Sequence, residues 1–261
     1  MKRKNRAPGP ACAVFAAACL LALSACGGSA GADTSEGGTQ AETDAGSGYS
    51  VACLGDSITE GVGVDSEKER YTVLMEADEG IGSVQNVGFS GSTIGDTPDE
   101  SCSYMNRYAF TERYTQIAEG TDLIFVLGGT NDYGTSLGQV PLGEMGDADE
   151  STFYGALEVL ADGLSAEYPD AQLLFATPLP RYDTDMTAEN TYGATLEEYR
   201  DAVLEECAGR GIETLDLFTL GEVSPEADGH EDYFADGLHP NAAGNALLAE
   251  TVLEKILEMK G

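Results

Sequence analysis

Residues 53–61 read CLGDSITEG. The apolar run 49–54 stops at Gly55; Asp56, Ser57 and a second glycine, Gly61, follow. An apolar run broken by glycine reads as a strand entering a turn. Gly, Asp and Ser are also common turn residues. Ser57 is therefore either an ordinary turn serine or a nucleophile held up at a strand end. A word this short recurs by chance, so the rest of the chain has to decide.

Further strands are expected at 49–55, 83–88, 122–128, 171–177 and 212–217. The third and fourth are apolar nearly throughout, as in strands covered on both faces. Helical spacing of apolar residues falls between them. It marks 104–119 (Tyr108, Tyr114, Ile117, Ala118) and 153–168 (Leu157, Leu160, Ala161, Leu164). It also marks 196–207 (Tyr199, Val203, Leu204) and 241–259 (Leu247, Leu248, Val252, Ile256). Alternating strands and helices imply an α/β fold, an open parallel sheet of about five strands with helices on both sides. Ligands in such sheets sit beyond the C-terminal strand ends. Ser57, Gly88 and Gly91, Asn131 and the segment 178–195 would all lie along that edge.

The first 48 residues read differently. Lys2, Arg3, Lys4 and Arg6 form a basic start, and 11–22 is apolar but too short to span a bilayer. The run ends in Leu23, Ser24, Ala25, Cys26, which resembles a bacterial lipoprotein signal with Cys26 as the lipidated new N-terminus. Residues 1–25 are expected to be the signal peptide. Residues 26–48 hold no large apolar side chain and read as a disordered tether. Residues 49–261 suit one domain with one core. Location outside the cytoplasm, with membrane attachment only through the lipid, follows from that reading.

The chain carries 46 acidic and 13 basic residues, a net charge of −33. Removal of the basic start leaves −37. Such a surface repels phosphate backbones and anionic headgroups, so no nucleic-acid partner is expected. Cys53, Cys102 and Cys207 remain in the domain with no CxxC spacing, so no zinc site is suggested. A Cys102–Cys207 bridge is left open. The acids of 147–158 are spaced like a calcium loop, but Thr152 stands where the turn glycine belongs, and the segment reads as a helix start. No metal or cofactor is expected.

Only two histidines exist, His230 and His239. A serine nucleophile needs a base, and the base needs a carboxylate to fix its tautomer. His239 follows Asp236 in DGLHP, where Pro240 suits a helix start. His230, within DGHED, reads as exposed. Asn131, in VLGGTNDYG, offers an amide donor or a helix cap. Gly91, in NVGFSGST, offers an unshielded N–H or a tight turn.

GDSIT, a glycine after strand two, GTND and DGLHP occur in the order found in the SGNH hydrolases, a branch of the GDSL esterase and lipase family. The resemblance covers the whole domain. It implies a flavodoxin-like three-layer α/β/α sandwich. It implies Ser57 as nucleophile, His239 as base and Asp236 as the orienting carboxylate. It also implies an oxyanion hole from the Ser57 N–H, the Gly91 N–H and the Asn131 side chain, with Gly88 as the competitor of Gly91. Ile58 departs from the family's Leu. The expected activity is a serine esterase on small-molecule or glycan O-acyl esters. The acidic rim and the lack of a large apolar lid favour short, acetyl-type groups. Long-chain lysophospholipase or thioesterase activity is the alternative, and a non-catalytic glycan-binding lipoprotein is the other class. Pocket residues are expected from 60–66, 92–104, 133–147 and 178–195, with Arg181 and Tyr182.

Overall fold

The computed structural model describes residues 48–134, 139–220 and 229–260. The expected signal peptide, Cys26 and nearly all of the expected tether lie outside the described residues. Strand β1 (Tyr49–Gly55) leads into helix α1 (Ser57–Glu60), then α2 (Tyr71–Glu76) and β2 (Ile81–Gly88). Helix α3 (Phe110–Arg113), β3 (Leu123–Leu127) and α4 (Thr130–Tyr133) come next. Helix α5 (Phe153–Glu167), β4 (Gln172–Ala176), α6 (Leu196–Arg210), β5 (Glu213–Leu215) and α7 (Ala242–Lys260) complete the chain.

The five strands run parallel in the order β2-β1-β3-β4-β5. Side chains alternate between the two faces. Ala52, Leu54, Ile124, Val126 and Phe175 pack with Phe110, Leu157, Leu160 and Tyr199 on one side. Val51, Cys53, Leu123, Phe125 and Leu174 pack with Tyr71, Met75, Leu248, Val252 and Ile256 on the other. The result is a three-layer α/β/α sandwich, with α3, α5 and α6 on one face and α2 and α7 on the other. Strand β2 is half exposed, as befits an edge.

Strand order reverses between β1 and β3, since the chain visits β2 on one side of β1 before β3 on the other. The crevice at such a switch point is where open α/β sheets bind ligands. Gly55 lies level with Gly88 in β2 and Leu127 in β3. The segments bearing Ser57, Gly91 and Asn131 therefore leave the sheet side by side.

Two expectations change. The helix expected over 104–119 is broken into a 3-10 helix Ser103–Tyr108, the single turn of α3 and a second 3-10 turn Tyr114–Gln116. Tertiary partners take its backbone groups: Phe110 N–H donates to Thr93 O at 2.9 Å, and Arg113 Nε donates to Tyr108 O at 2.7 Å. Helix α2 was not expected, because six residues are too few to display a helical period. Thr152, at the calcium-like stretch, caps α5 by accepting from Gly155 N–H. Cys207 is a buried thiol and forms no bridge with Cys102; burial pushes it up to about 12. Among the described residues, no helix is long and apolar enough to cross a membrane.

Candidate active site

Ser57 is the first residue of α1. Asp56 caps that helix, with Oδ1 accepting from Ile58 N–H at 2.9 Å. Only glycine fits at 55: a Cβ there would sit 1.9 Å from Thr59 Oγ1 and 3.1 Å from Leu127 O. Strand end and helix start are thus pressed together, which turns the Ser57 hydroxyl into the crevice.

His239 lies in a turn closed by the Phe234–Pro240 bridge and by Ala235 N–H donating to His239 O at 2.8 Å. Asp236 accepts at Oδ1 from the backbone N–H groups of Leu238 (3.0 Å) and His239 (2.8 Å). Its Oδ2 lies 2.8 Å from His239 Nδ1, and His239 Nε2 lies 3.0 Å from Ser57 Oγ. Burial raises the Asp236 carboxyl, but the hydrogen bonds from His239 and Leu238 outweigh it and hold it below the ordinary range. The Asp236 side chain is 56% exposed and that of His239 15%. Ser57, His239 and Asp236 thus form one hydrogen-bonded line.

The turn is braced from three directions. Tyr182 N–H donates to Gly237 O at 2.7 Å. Gly63, at φ +104°, runs so close that a Cβ would lie 2.5 Å from Pro240 O and 3.0 Å from His239 Cβ. Asn245, in α7, donates to Pro240 O at 2.8 Å and accepts from Tyr71 N–H at 2.9 Å.

Asn131 is buried in α4, where its Nδ2 donates to Ser92 O at 2.9 Å and lies 3.4 Å from Asp56 Oδ2. Gly91 adopts φ +78°, a conformation glycine takes freely. The Gly88 N–H is engaged by Asn86 Oδ1 at 2.9 Å. Two buried carboxyls lie beneath. Burial raises Asp56 to about 6, against the Ile58 N–H and the charges of His239 and Arg113. Burial raises Asp132 to about 7, against the N–H groups of Gly95 and Ile94, which it holds at 3.0 Å.

The alignment of a serine, an imidazole and a carboxylate is the geometry of acyl transfer. A family model described as GDSL-like Lipase/Acylhydrolase matches residues 53–247. The chain belongs to the GDSL-like lipase/acylhydrolase family. A curated acetylxylan esterase from Xylanibacter ruminicola is 28% identical over 223 residues, which span 79% of this chain and 42% of the relative. The chain thus matches under half the length of that relative. The crystal structure of a Lactobacillus plantarum protein is 32% identical, with a TM-score of 0.67 over 81% of this chain and 97% of that one. A carbohydrate acetylesterase from Sinorhizobium meliloti shares the fold at 19% identity, with a TM-score of 0.56 over 81% and 99% of the two chains.

His230 is half-buried rather than exposed, stacked on Tyr182 with ring centroids 4.9 Å apart. A cavity of about 460 Å³ opens beside α4 between Tyr133, Gln139, Arg181, Asp183 and Asn190. It draws on 133–147 and 178–195; none of its lining residues comes from 60–66 or 92–104. Arg113 and Asn245 escaped sequence reasoning, and Gly63 was expected only within the pocket range 60–66.

Proposed function

We propose that the protein is an extracytoplasmic serine esterase that removes short acyl groups, acetyl esters on carbohydrate, through an acyl-enzyme on Ser57. The observation that carries this reading is the line Ser57 Oγ–His239 Nε2–Asp236, at 3.0 and 2.8 Å.

Ser57 Oγ attacks the ester carbonyl while His239 Nε2 takes its proton. Asp236 holds the Nδ1–H tautomer and stabilises the imidazolium. Collapse of the tetrahedral intermediate expels the alcohol, which leaves with the proton from Nε2. Water then repeats the sequence on the acyl-enzyme and frees the acid. Negative charge on the carbonyl oxygen is met by the N–H groups of Ser57 and Gly91 and by the Asn131 amide. Gly91 is preferred to Gly88 because the Gly88 N–H is already engaged. One Asn131 N–H is anchored on Ser92 O at 2.9 Å, and the amide's longer contact, 3.4 Å to Asp56 Oδ2, is the weaker bond that an oxyanion would compete for. One such donor is worth about 3 kcal/mol of barrier.

A carbohydrate ester is supported by the acetylxylan esterase relative. The export signal and Cys26 support attachment outside the cytoplasm. Ser57→Ala should abolish hydrolysis of acetylated xylan and of p-nitrophenyl acetate without loss of fold by circular dichroism. Unchanged turnover would remove Ser57 from the chemistry. A chain-length profile peaking at long acyl groups would shift the substrate class to lipids.

A further inference from the structure

Arg113 is 4% exposed, yet none of its hydrogen bonds goes to a carboxylate. Its Nε donates to Tyr108 O at 2.7 Å and its Nη1 to Val87 O at 2.7 Å. Its Nη2 donates to Gly55 O at 2.9 Å and to Ser92 Oγ at 3.1 Å. Burying a cation this deeply without direct ion pairing is costly unless its donors are satisfied. Here a planar fork meets the acceptors it needs.

Those acceptors are not scattered. Gly55 O belongs to the peptide that leads into Asp56 and Ser57. Ser92 follows Gly91 directly, and its carbonyl holds Asn131 Nδ2. One guanidinium therefore braces the three chain segments that carry the Ser57, Gly91 and Asn131 donors. Its charge has a second effect. Asp56 is fully buried beside Asn131, and an anion there opposes negative charge on a substrate oxygen nearby. Arg113 attracts Asp56 electrostatically and offsets that opposition.

We propose that Arg113 is a positioning residue for the oxyanion hole, acting through Gly55 O and Ser92 on the three donors. The inference rests on the reading of Ser57 as nucleophile. Arg113 also lines a cavity of about 320 Å³ with Val87, Gly88, Phe89 and Tyr108, so a truncated side chain leaves a hole that a small cation can enter.

The test is steady-state hydrolysis of p-nitrophenyl acetate by Arg113→Ala, with and without millimolar methylguanidinium. The kcat should fall about 100-fold, the size of one lost oxyanion donor. KM should stay within about threefold, because the loss is confined to the transition state. Methylguanidinium should restore kcat in the variant and leave the wild type unchanged. A kcat near wild type, or a loss without rescue in a folded variant, overturns the proposal. Should Arg113→Ala not fold, Ser92→Ala decides: about a tenfold drop in kcat at constant KM is expected, and an unchanged kcat overturns it. Ser57→Ala assayed in parallel separates the two readings. If that variant still turns over, the nucleophile assignment has failed; if it is dead while Arg113→Ala is fully active, only the role of Arg113 has failed.

Discussion

Replacing Asp236 by asparagine tests the hydrogen-bonded line most sharply. The amide oxygen can still accept the backbone N–H groups of Leu238 and His239. The amide NH2 then faces His239 Nδ1 in place of Oδ2, now 2.8 Å away. It demands an unprotonated Nδ1, which puts the proton on Nε2. That nitrogen would then donate toward Ser57 Oγ and could not take its proton. Charge is lost as well. At this separation the carboxylate stabilises an imidazolium by about 6 kcal/mol in a medium of dielectric 20, and by about 1.5 kcal/mol in bulk water. Asp236 is more than half exposed, so the effective value lies between these, at about 3 kcal/mol, or about 150-fold in rate. Tautomer reversal adds to this, for a total of about 1000-fold in kcat. The assay is the pH–rate profile of p-nitrophenyl acetate hydrolysis, with thermal unfolding as the control for fold. A kcat within tenfold of wild type in a folded Asp236→Asn would refute both the tautomer argument and the role of the pair.

Gly63→Ala should lower kcat by more than about tenfold, because a methyl group 2.5 Å from Pro240 O displaces the His239 turn; an unshifted kcat in steady-state assay would show that the turn yields freely. Asp132 has a raised folded pKa of about 7. Its contribution to stability is complete below the unfolded value near 3.8 and is lost as pH rises through about 7. Asp132→Asn should therefore flatten the fall in Tm between pH 4 and 7 relative to wild type, read by calorimetry; parallel Tm curves for the two proteins would contradict this. Cys26→Ala should release the protein from membranes into the medium, followed by fractionation and immunoblot, whereas retention in the membrane fraction would argue against the lipid anchor.

Legibility in the sequence followed burial. Strands β1, β3 and β4 are covered on both faces, so their apolar runs stand out. Residues 104–119 carry an equally helical pattern, but Thr93 and Arg113 claim the backbone groups a continuous helix would need. At the site, Ser57, Asp236, His239 and Asn131 are marked by local words, and the structure brings the first three into hydrogen-bonding contact. Gly63, Arg113 and Asn245 carry no such words. Each acts on a partner far along the chain: Gly63 on Pro240, Arg113 on Gly55, Asn245 on Tyr71. Local pattern cannot reveal a residue whose role is defined only by distant packing.

The Asn245 link has a consequence for how the molecule ages under stress. The His239 turn is secured by a helix from the far end of the chain, packed on Tyr71 and Met75 of α2 and tied to it by the Tyr71 N–H donating to Asn245 Oδ1 across 174 positions. Contacts of that separation are slow to form and can open without melting the sheet. Mild denaturant should therefore silence hydrolysis while far-UV circular dichroism stays nearly native. Turnover then becomes a gauge of whether the C-terminal helix is seated, and inactivation a sub-global event that reverses on dilution.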